Sequence, residues 1–362
     1  MADRAFTLIE GGRTWSLADL PRGHAGVIDV SKAGVAGIVG AILSGDTWLV
    51  REANDEPAPH VGNGKTPHVG LQTSGTTGRP KWVVTTLDQL TEKLKPGNAP
   101  ARWLLTFNPG SFAGLQVILS ALTGEHTLVV PPYGADVSIM SDLAVAEQVT
   151  HISGTPTFWR AFLMALGDRP LDLKSVTLGG EASDQAILDA VAARFPNAMI
   201  RHIYATTELG RIFSVNDGRA GFPVTMLKDR LAISENSILT VGGIDTGDVV
   251  EIVDDRVLFR GRADAMVNVG GVKVYPETVE AYLLQLPLIQ EVRVSPKPNP
   301  ITGHVLVADI VRKSDSGLPD SSLDEAQIKA HLQGLPRAQR PVSLRFVDRI
   351  EMGATGKKSR VS

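Results

Sequence analysis

Short apolar runs alternate with segments of helical periodicity between Pro100 and about Leu239. Four of the runs have the length of strands: residues 103–107, 126–130, 175–178 and 199–204. The clearest helical segment, residues 184–194, repeats apolar side chains every three or four positions. Strands that alternate with helices are typical of largely parallel sheets. The pattern therefore predicts a large N-terminal α/β domain with mixed sheets.

The pattern changes after Leu239, where short β-rich pieces replace this alternation. Predicted strands are residues 248–253 and 256–260, a segment around Val292, and residues 305–311 and 342–347. One helix is expected to begin at Pro276, and another at the capping box of residues 322–325, ending near Gly334. The first two of these strands lead to a Gly-Arg-Ala-Asp turn at residues 261–264, which is the best candidate for a domain boundary. We therefore predict an N-terminal domain of residues 1–263 and a small C-terminal α+β domain of residues 264–362.

Residues 33–45 form the longest charge-free apolar stretch near the start of the chain. This stretch is shorter than the roughly 18–20 residues that a membrane span needs, and four glycines interrupt it. We interpret it as a packed helix capped by Ser31 and predict no membrane span. Residues 1–12 carry Asp3, Arg4 and Glu10 and lack the apolar core of a secretory signal. A cytoplasmic location is expected.

Composition narrows the classes of function. The 362 residues exceed the size of one ordinary hydrophobic core, which favours two domains. The formal net charge is −3, and neither sign forms a long block, so nucleic-acid binding is not expected. The chain has no cysteine, which excludes disulfides and a cysteine nucleophile. Any thiol in the chemistry must therefore arrive with a substrate.

A run of hydroxyl and glycine residues follows the apolar segment at residues 68–70 and ends in a lysine. A loop of this kind exposes backbone N–H groups and hydroxyls that bind polyphosphate, and the lysine adds positive charge. The Walker loop is a rival, but it requires Gly and Ser/Thr where this chain has Pro80 and Trp82. A plain surface loop is the other alternative. The predicted nucleotide-binding residues here are Thr73, Ser74, Gly75, Thr76, Thr77, Gly78 and Lys81.

This run closely resembles the phosphate loop of the adenylate-forming superfamily, which comprises acyl-CoA synthetases, adenylation domains and luciferases. A second match is Tyr204-Ala-Thr-Thr-Glu208, which differs from the family pattern by Ala205 in place of glycine. The resemblance implies that Tyr204 stacks on adenine, Thr207 binds the α-phosphate and Glu208 holds Mg²⁺. An aromatic ring, a hydroxyl and a hard oxygen donor suit these roles.

Further motifs of the superfamily follow in the expected order. The resemblance implies that Asp248 and Arg262 bind the ribose hydroxyls of ATP. Asp264 corresponds to the hinge of a mobile C-terminal lid. The resemblance also assigns Gly270 and Gly271 to a tunnel for the thiol, where a bare backbone leaves room. Lys273 is placed where a basic residue meets a CoA phosphate.

The last motif, Gly356-Lys-Lys-Ser-Arg360, is similar to the family segment whose lysine enters the active site. It implies that Lys357 acts on the reacting carboxylate and α-phosphate, where a cation stabilises the transition state. The family's preceding Pro-Arg-Thr is absent, and Glu351-Met-Gly353 stands there instead. A basic tail without function is the alternative.

The resemblance also places the acyl pocket. Its predicted residues are Phe112, Ala113, Gly114, Gly179 and Ala205, while Gly180, Glu181 and Ala182 are assigned to the nucleotide. No aspartate occurs between Arg102 and Thr123 to hold an α-ammonium, so amino acids are disfavoured as substrates. Phe112 stands where CoA ligases commonly have histidine, which indicates an apolar wall. The sequence contains no pair of histidines with metal-ligand spacing beside a carboxylate, so we predict no zinc site.

Together the motifs imply an enzyme that uses ATP and Mg²⁺ to convert a carboxylic acid to an acyl-adenylate, then passes the acyl group to CoA. Three alternatives remain: loading of an acyl carrier protein, an amide ligase with an amine acceptor, and a non-catalytic nucleotide-binding relative. The segment before the phosphate loop is shorter than is usual in the family. Compact o-succinylbenzoate-CoA ligases are similar in this respect, and Ala113-Gly-Leu-Gln116 resembles them.

Overall fold

A computed structural model describes residues 5–22, 25–51, 57–59, 66–74, 80–94, 99–286, 288–312 and 321–350. Within these residues the chain forms two compact units. The first unit contains residues 5–181 and 191–216, and the second contains residues 182–190 and 217–350. This division differs from the domain limits of 1–263 and 264–362, which remain a prediction.

The first unit is built from two sheets and the helices that cover them. Its strands are β1 (Thr7–Glu10), β2 (Arg13–Ser16), β3 (Gly26–Asp29), β4 (Thr47–Val50), β5 (His68–Ser74), β6 (Pro80–Thr86), β7 (Arg102–Leu104), β8 (Thr127–Val130), β9 (His151–Gly154), β10 (Ser175–Leu178), β11 (Met199–Thr206) and β12 (Gly210–Val215). Its helices are α1 (Val30–Ile42), α2 (Leu87–Thr91), α3 (Phe112–Thr123), α4 (Val137–Ala146) and α5 (Pro156–Leu166). Helix α6 (Gln185–Arg194) begins among the residues of the second unit.

The larger sheet has the strand order β12-β11-β10-β9-β7-β8-β1-β2. Strands β11 through β1 in this order are parallel, and β2 and β12 pair antiparallel at the two edges. The smaller sheet, β3-β4-β5-β6, is parallel except for β6. Each parallel connection of the larger sheet runs through a helix, as the alternating sequence pattern predicts. The predicted strand at residues 175–178 matches β10 in both bounds.

Helices α1 and α3 lie between the two sheets. Val35 and Ile118 belong to the core that covers the larger sheet, whereas Ile38 and Leu115 belong to the core of the smaller sheet. A helix that packs on both faces must be apolar all round. This requirement explains why residues 33–45 carry no charge. Among the described residues, no helix is both long and apolar enough to cross a bilayer.

The N-terminus of α1 differs from the prediction. The helix is capped by Asp29, whose carboxylate accepts from the backbone N–H of Ser31 at 3.0 Å, so Ser31 is not the cap. The helix is kinked at Gly34, which has φ +63°. Beyond the kink, the carboxylate of Glu10 accepts from the N–H groups of Val35 and Ala36 at 2.7 and 3.0 Å. An acidic strand residue thus caps the second part of the helix.

The second unit contains two mainly antiparallel sheets. Its strands are β13 (Phe222–Pro223), β14 (Leu231–Ile233), β15 (Ile238–Val241), β16 (Ile244–Val253), β17 (Arg256–Arg262), β18 (Val267–Val269), β19 (Val272–Val274), β20 (Ile289–Asn299), β21 (Gly303–Arg312) and β22 (Ser343–Phe346). Helices α7 (Pro276–Leu283) and α8 (Ser321–Leu332) complete it. The sheet orders are β13-β17-β16-β15-β14 and β19-β18-β21-β20, with β22 parallel to β21.

The predicted C-terminal elements are present with small shifts in their bounds. Pro276 is the first residue of α7, as predicted. The second helix begins at Ser321, one residue before the predicted capping box. The predicted turn at residues 261–264 is instead the end of β17 followed by one turn of 3-10 helix, Ala263–Ala265. Val279, Val292 and Ile328 are fully buried in the core that joins the two helices to the last sheet.

Candidate active site

The predicted phosphate loop joins two antiparallel strands of the smaller sheet. Thr73 and Ser74 end β5, and they pair in register with Lys81 and Pro80 of β6. Gly75, Thr76, Thr77 and Gly78 lie outside the described residues. Lys81 is exposed at the start of the return strand. A Walker loop leads into a helix, whereas here a strand follows, which agrees with the rejection of the Walker pattern from sequence.

The second motif occupies the end of the β11–β12 hairpin in the first unit. Tyr204 lies on β11, and its ring stacks on Phe213 of β12 with centroids 5.2 Å apart and planes at 30°. Thr207 and Glu208 lie in the turn that follows, where Thr207 is half-buried and Glu208 is exposed. The hydroxyl of Thr206 accepts from the N–H of Leu209 at 3.1 Å and closes the turn. The turn thus presents a hydroxyl and a carboxylate beside an aromatic ring.

The predicted acyl residues approach this turn from helix α3. Ser111 caps α3, and its hydroxyl accepts from the N–H of Gly114 at 3.0 Å. Phe112 follows the cap and packs against the core of the smaller sheet. A methyl group added at Gly210 would lie 3.9 Å from Cζ of Phe112, so the ring reaches the end of the Thr207–Leu209 turn. A residue predicted for the acid therefore lies beside residues predicted for the nucleotide.

The residues 179–182 follow strand β10. A methyl group added at Gly179 would lie 2.8 Å from Cγ1 of Ile203 on β11. Glycine therefore fits this position because the neighbouring side chain leaves no room for a larger residue. Gly180 has φ +81°, a conformation that favours glycine. The carboxylate of Glu181 accepts from the N–H and hydroxyl of Thr157 at 3.2 and 2.7 Å. Glu181 thus supports the first turn of α5, and its assignment to the nucleotide remains a prediction. Ala182 is exposed and belongs to the second unit.

The second unit brings the predicted ribose-binding pair together. Asp248 of β16 and Arg262 of β17 are direct cross-strand partners. Nη1 of Arg262 lies 3.5 Å from Oδ1 of Asp248 and donates to the carbonyl of Thr246 at 2.8 Å. Nε of the same arginine lies 3.2 Å from Oδ1 of Asp264, the predicted hinge. An acceptor and a forked donor side by side match the two hydroxyls of a ribose.

The glycine pair Gly270-Gly271 forms the turn of the β18–β19 hairpin. Their φ values are +58° and +89°, which is the geometry of a tight turn that only glycine adopts readily. The N–H of Gly271 also donates to Oδ1 of Asn268 at 2.8 Å. Lys273 follows the turn on β19 and is exposed. The requirements of the turn explain why glycine occupies both positions, and the role of these residues in a thiol tunnel remains a prediction.

Lys357, which is predicted to enter the active site, lies outside the described residues.

Mg²⁺ needs few protein ligands when it is bound together with phosphates. The described part of the chain contains no group of three or more His, Cys, Asp or Glu side chains that would hold a metal alone. The exposed carboxylate of Glu208 suits a cation that takes its remaining ligands from a nucleotide and water.

Sequence reasoning missed a polar row on the larger sheet. Ser153 of β9, Thr177 of β10 and Arg201 of β11 are neighbours in register. Nη2 of Arg201 donates to Oγ of Ser175 at 3.1 Å. Burial, and then repulsion from Arg211, lower the pKa of Arg201 below its usual value. The signal in the sequence is the Arg201-His202 pair within the predicted strand at residues 199–204.

Known proteins provide an independent comparison. Residues 28–260 match the AMP-binding enzyme family, and residues 278–357 match the AMP-binding enzyme C-terminal domain. The first match alone covers more than half of the chain. The chain belongs to the AMP-binding enzyme family. The predicted membership of the adenylate-forming superfamily is therefore confirmed.

Individual relatives of this AMP-binding enzyme are distant. The 2-succinylbenzoate–CoA ligase of Bacillus pumilus is 26% identical, over 80% of this chain and 67% of its own length. The 4-coumarate–CoA ligase 4 of Arabidopsis thaliana is 24% identical, over 69% of this chain and 54% of its own length. The chain thus spans about half to two thirds of these curated relatives.

The fold of this AMP-binding enzyme is also found among solved structures. An anthranilate CoA ligase in complex with anthranoyl-AMP superimposes with a TM-score of 0.76 at 17% identity, covering 99% of this chain and 93% of that chain. The predicted fold class is confirmed: a large N-terminal α/β domain with mixed sheets and a small C-terminal domain.

Proposed function

We propose that this AMP-binding enzyme converts a carboxylic acid to an acyl-adenylate with ATP and then transfers the acyl group to a thiol, with CoA as the preferred acceptor. The observation that carries the proposal is the approach of Phe112 to the Thr207–Leu209 turn. It brings the predicted acyl wall beside the predicted nucleotide residues. Family membership and the CoA ligases among the relatives support the same reaction.

In the first step, a carboxylate oxygen of the acid attacks the α-phosphorus of ATP, and pyrophosphate leaves. The protein contributes position and charge neutralisation rather than covalent chemistry. The hydroxyl of Thr207 donates a hydrogen bond to the α-phosphate, and the ring of Tyr204 stacks on adenine. The exposed carboxylate of Glu208 would hold Mg²⁺, and the cation would supply charge neutralisation at the phosphate oxygens.

In the second step, the thiol sulfur attacks the acyl carbon of the adenylate. The thiol loses its proton, a thioester forms, and AMP leaves. The proposal assigns the hinge of this step to Asp264 and the passage of the thiol to the Gly270-Gly271 turn. A lid that rotates between the two steps would assemble both sites from one chain.

A panel of acids tests the first step. Pyrophosphate exchange is measured with many carboxylic acids, and the products formed from active acids with CoA, an acyl carrier protein or an amine are identified by mass. A CoA thioester is the expected product. A carrier-protein thioester or an amide as the only product would contradict the choice of CoA while leaving adenylation intact. ATP binding without exchange for any acid would indicate a non-catalytic relative.

Lys357 provides a sharper test, because it is assigned to the first step alone. Lys357→Ala should slow adenylation by about 10²–10³, the usual effect of losing one such electrostatic contact. Thioester formation from supplied acyl-adenylate should be unchanged. Lys358→Ala is the matched control and should leave both steps near the wild-type rate. Equal losses in the rates of both steps in Lys357→Ala would contradict the assignment.

The cytoplasmic location also remains a prediction.

A further inference from the structure

Three polar side chains form a row across the parallel part of the larger sheet. Ser153, Thr177 and Arg201 occupy the same register position on β9, β10 and β11. Residues opposite one another on neighbouring strands project from the same face, and the strands lie about 4.8 Å apart. Two hydroxyls and one guanidinium group therefore stand side by side on one face, close enough to bind a single small group.

Some polar groups of this row lack a partner within the part of the chain that the structure describes, although Nη2 of Arg201 donates to Oγ of Ser175. Ser153 and Thr177 are each only 8% exposed. Their carbonyls accept from Thr106 and Trp159, but their hydroxyls make no hydrogen bond. Nε of Arg201 is buried without a partner. The two hydroxyls are not fully enclosed, so they are open to a bound group. Most buried polar groups in proteins are hydrogen-bonded, so the buried N–H at Nε of Arg201 indicates a missing acceptor.

The charge around the row favours an anion. Among the described residues, no carboxylate lies within 4 Å of Arg201. The charged neighbour that affects its pKa is another cation, Arg211. A guanidinium group remains protonated even when partly buried. A buried cation without a counter-ion is costly, and a bound anion would remove most of that cost.

The position of the row connects it to the predicted acyl pocket. Gly179 lies two residues beyond Thr177, directly after β10, and Ala205 lies four residues beyond Arg201 on β11. At roughly 3.3 Å per residue, these separations are about 7 and 13 Å. All of these residues belong to the first unit. An acyl chain that passes Gly179 and Ala205 toward the start of the strands would reach the row with its far end.

We propose that Ser153, Thr177 and Arg201 bind a second carboxylate of the acid, so that the substrate is a dicarboxylic acid. This inference rests on the proposed function, because it concerns the acid that is activated. The first carboxylate reacts with ATP near the Thr207–Leu209 turn. The second accepts hydrogen bonds from the two hydroxyls and forms a charge-assisted pair with the guanidinium group.

Paired acids test the proposal directly. Pyrophosphate exchange is measured with sebacate against decanoate and with dodecanedioate against dodecanoate, because these diacids are long enough to span from the row to Ala205. The wild type should prefer the diacid of each pair. Arg201→Gln should lower kcat/KM for the diacids by about 10²-fold, the scale of a lost buried charge pair, and leave the monoacids within about twofold. Lys174→Gln is the control, because it removes one exposed positive charge directly before β10. It should leave kcat/KM unchanged for both the diacids and the monoacids.

Thr177→Val keeps the shape of the side chain and removes one hydroxyl. It should lower kcat/KM for the diacids by about fivefold and leave the monoacids unchanged. This variant keeps the test valid if Arg201→Gln does not fold. No preference for diacids in the wild type, or equal losses for diacids and monoacids in both variants, would overturn the proposal.

Calorimetry with dodecanedioate, without ATP, separates this inference from the proposed function. Dodecanedioate binding that Arg201→Gln abolishes, without exchange for any acid, would support the row and reject adenylation. Exchange with monoacids but no binding of dodecanedioate would support adenylation and overturn the proposal for the row. Titration with CoA completes the design. Weaker CoA binding in Arg201→Gln, with dodecanedioate binding unaffected, would assign the row to a CoA phosphate and overturn the proposal.

Discussion

Asp248 and Arg262 face each other across β16 and β17, with Oδ1 and Nη1 3.5 Å apart. Asp248 is largely buried, with 19% of its side chain exposed, whereas Arg262 is 46% exposed. The arginine also contacts Asp264, two residues further along. One guanidinium group thus links the predicted ribose site to the predicted hinge within a single unit. A ligand that recruits Arg262 would have to compete with Asp264 for its hydrogen bonds.

Asp248→Ala should weaken binding of ATP and AMP by about tenfold to a hundredfold, because a ribose hydroxyl would lose a charged acceptor. Isothermal titration with each nucleotide measures the change. Glu251→Ala is the matched control, since Glu251 lies on the same strand and pairs with Arg260 on the surface. Its nucleotide affinity should stay within about twofold of the wild type. Unchanged affinity in Asp248→Ala would remove this residue from the nucleotide site.

Sequence could predict Asp248 and Arg262 because each lies in a local motif. It could not predict the row of Ser153, Thr177 and Arg201, because parallel strands are joined through long helical connections that leave their register open. The cap of α1 was assigned wrongly because Asp29 and Ser31 are both good capping residues and only the backbone decides between them. The loop residues 75–78 and Lys357 remain predictions from resemblance alone.

His151 should make stability depend on pH. Burial, followed by repulsion from His126 and Arg201, lowers the pKa of His151 from 6.5 to about 4. The unfolded chain therefore binds the proton more readily than the folded chain. Stability is complete above about pH 6.5 and is lost as the pH falls toward 4. Urea unfolding followed by tryptophan fluorescence measures this, since the ring of Trp103 contacts that of His151, with centroids 4.9 Å apart and planes at 44°.

His151→Phe keeps an aromatic ring beside Trp103 and removes the titrating group. The urea midpoint of this variant should fall less than that of the wild type between pH 6.5 and 4.5. His304→Phe is the control, because this histidine lies on β21 in the second unit. It should retain the wild-type slope of stability against pH. Parallel curves for the wild type and His151→Phe would show that another group controls the acid transition.

Among the arginines of the second unit, Arg256 should be the one whose loss lowers the free energy of unfolding most. Its side chain is 6% exposed, and it binds Asp217 at 2.6 Å and the carbonyls of Ala220, Arg219 and Gly221 at 2.8–3.0 Å. Arg256→Met should lower the free energy of unfolding by about 3–5 kcal/mol, because it leaves buried acceptors unpaired. Chemical denaturation measures the loss. Arg219→Met removes an exposed pair with Asp255 and should be near neutral.

Gly179→Ala should narrow the predicted acyl pocket without preventing folding. The added methyl group would lie 2.8 Å from Cγ1 of Ile203, which is a movable side chain rather than backbone. We expect Ile203 to shift, and kcat/KM to fall more for bulky acids than for small ones. Ile203→Ala should restore the room, so the double variant should recover much of the activity with bulky acids. A double-mutant cycle over acids of increasing size measures this coupling. Additive losses that are independent of acid size would place Gly179 and Ile203 outside the acyl pocket.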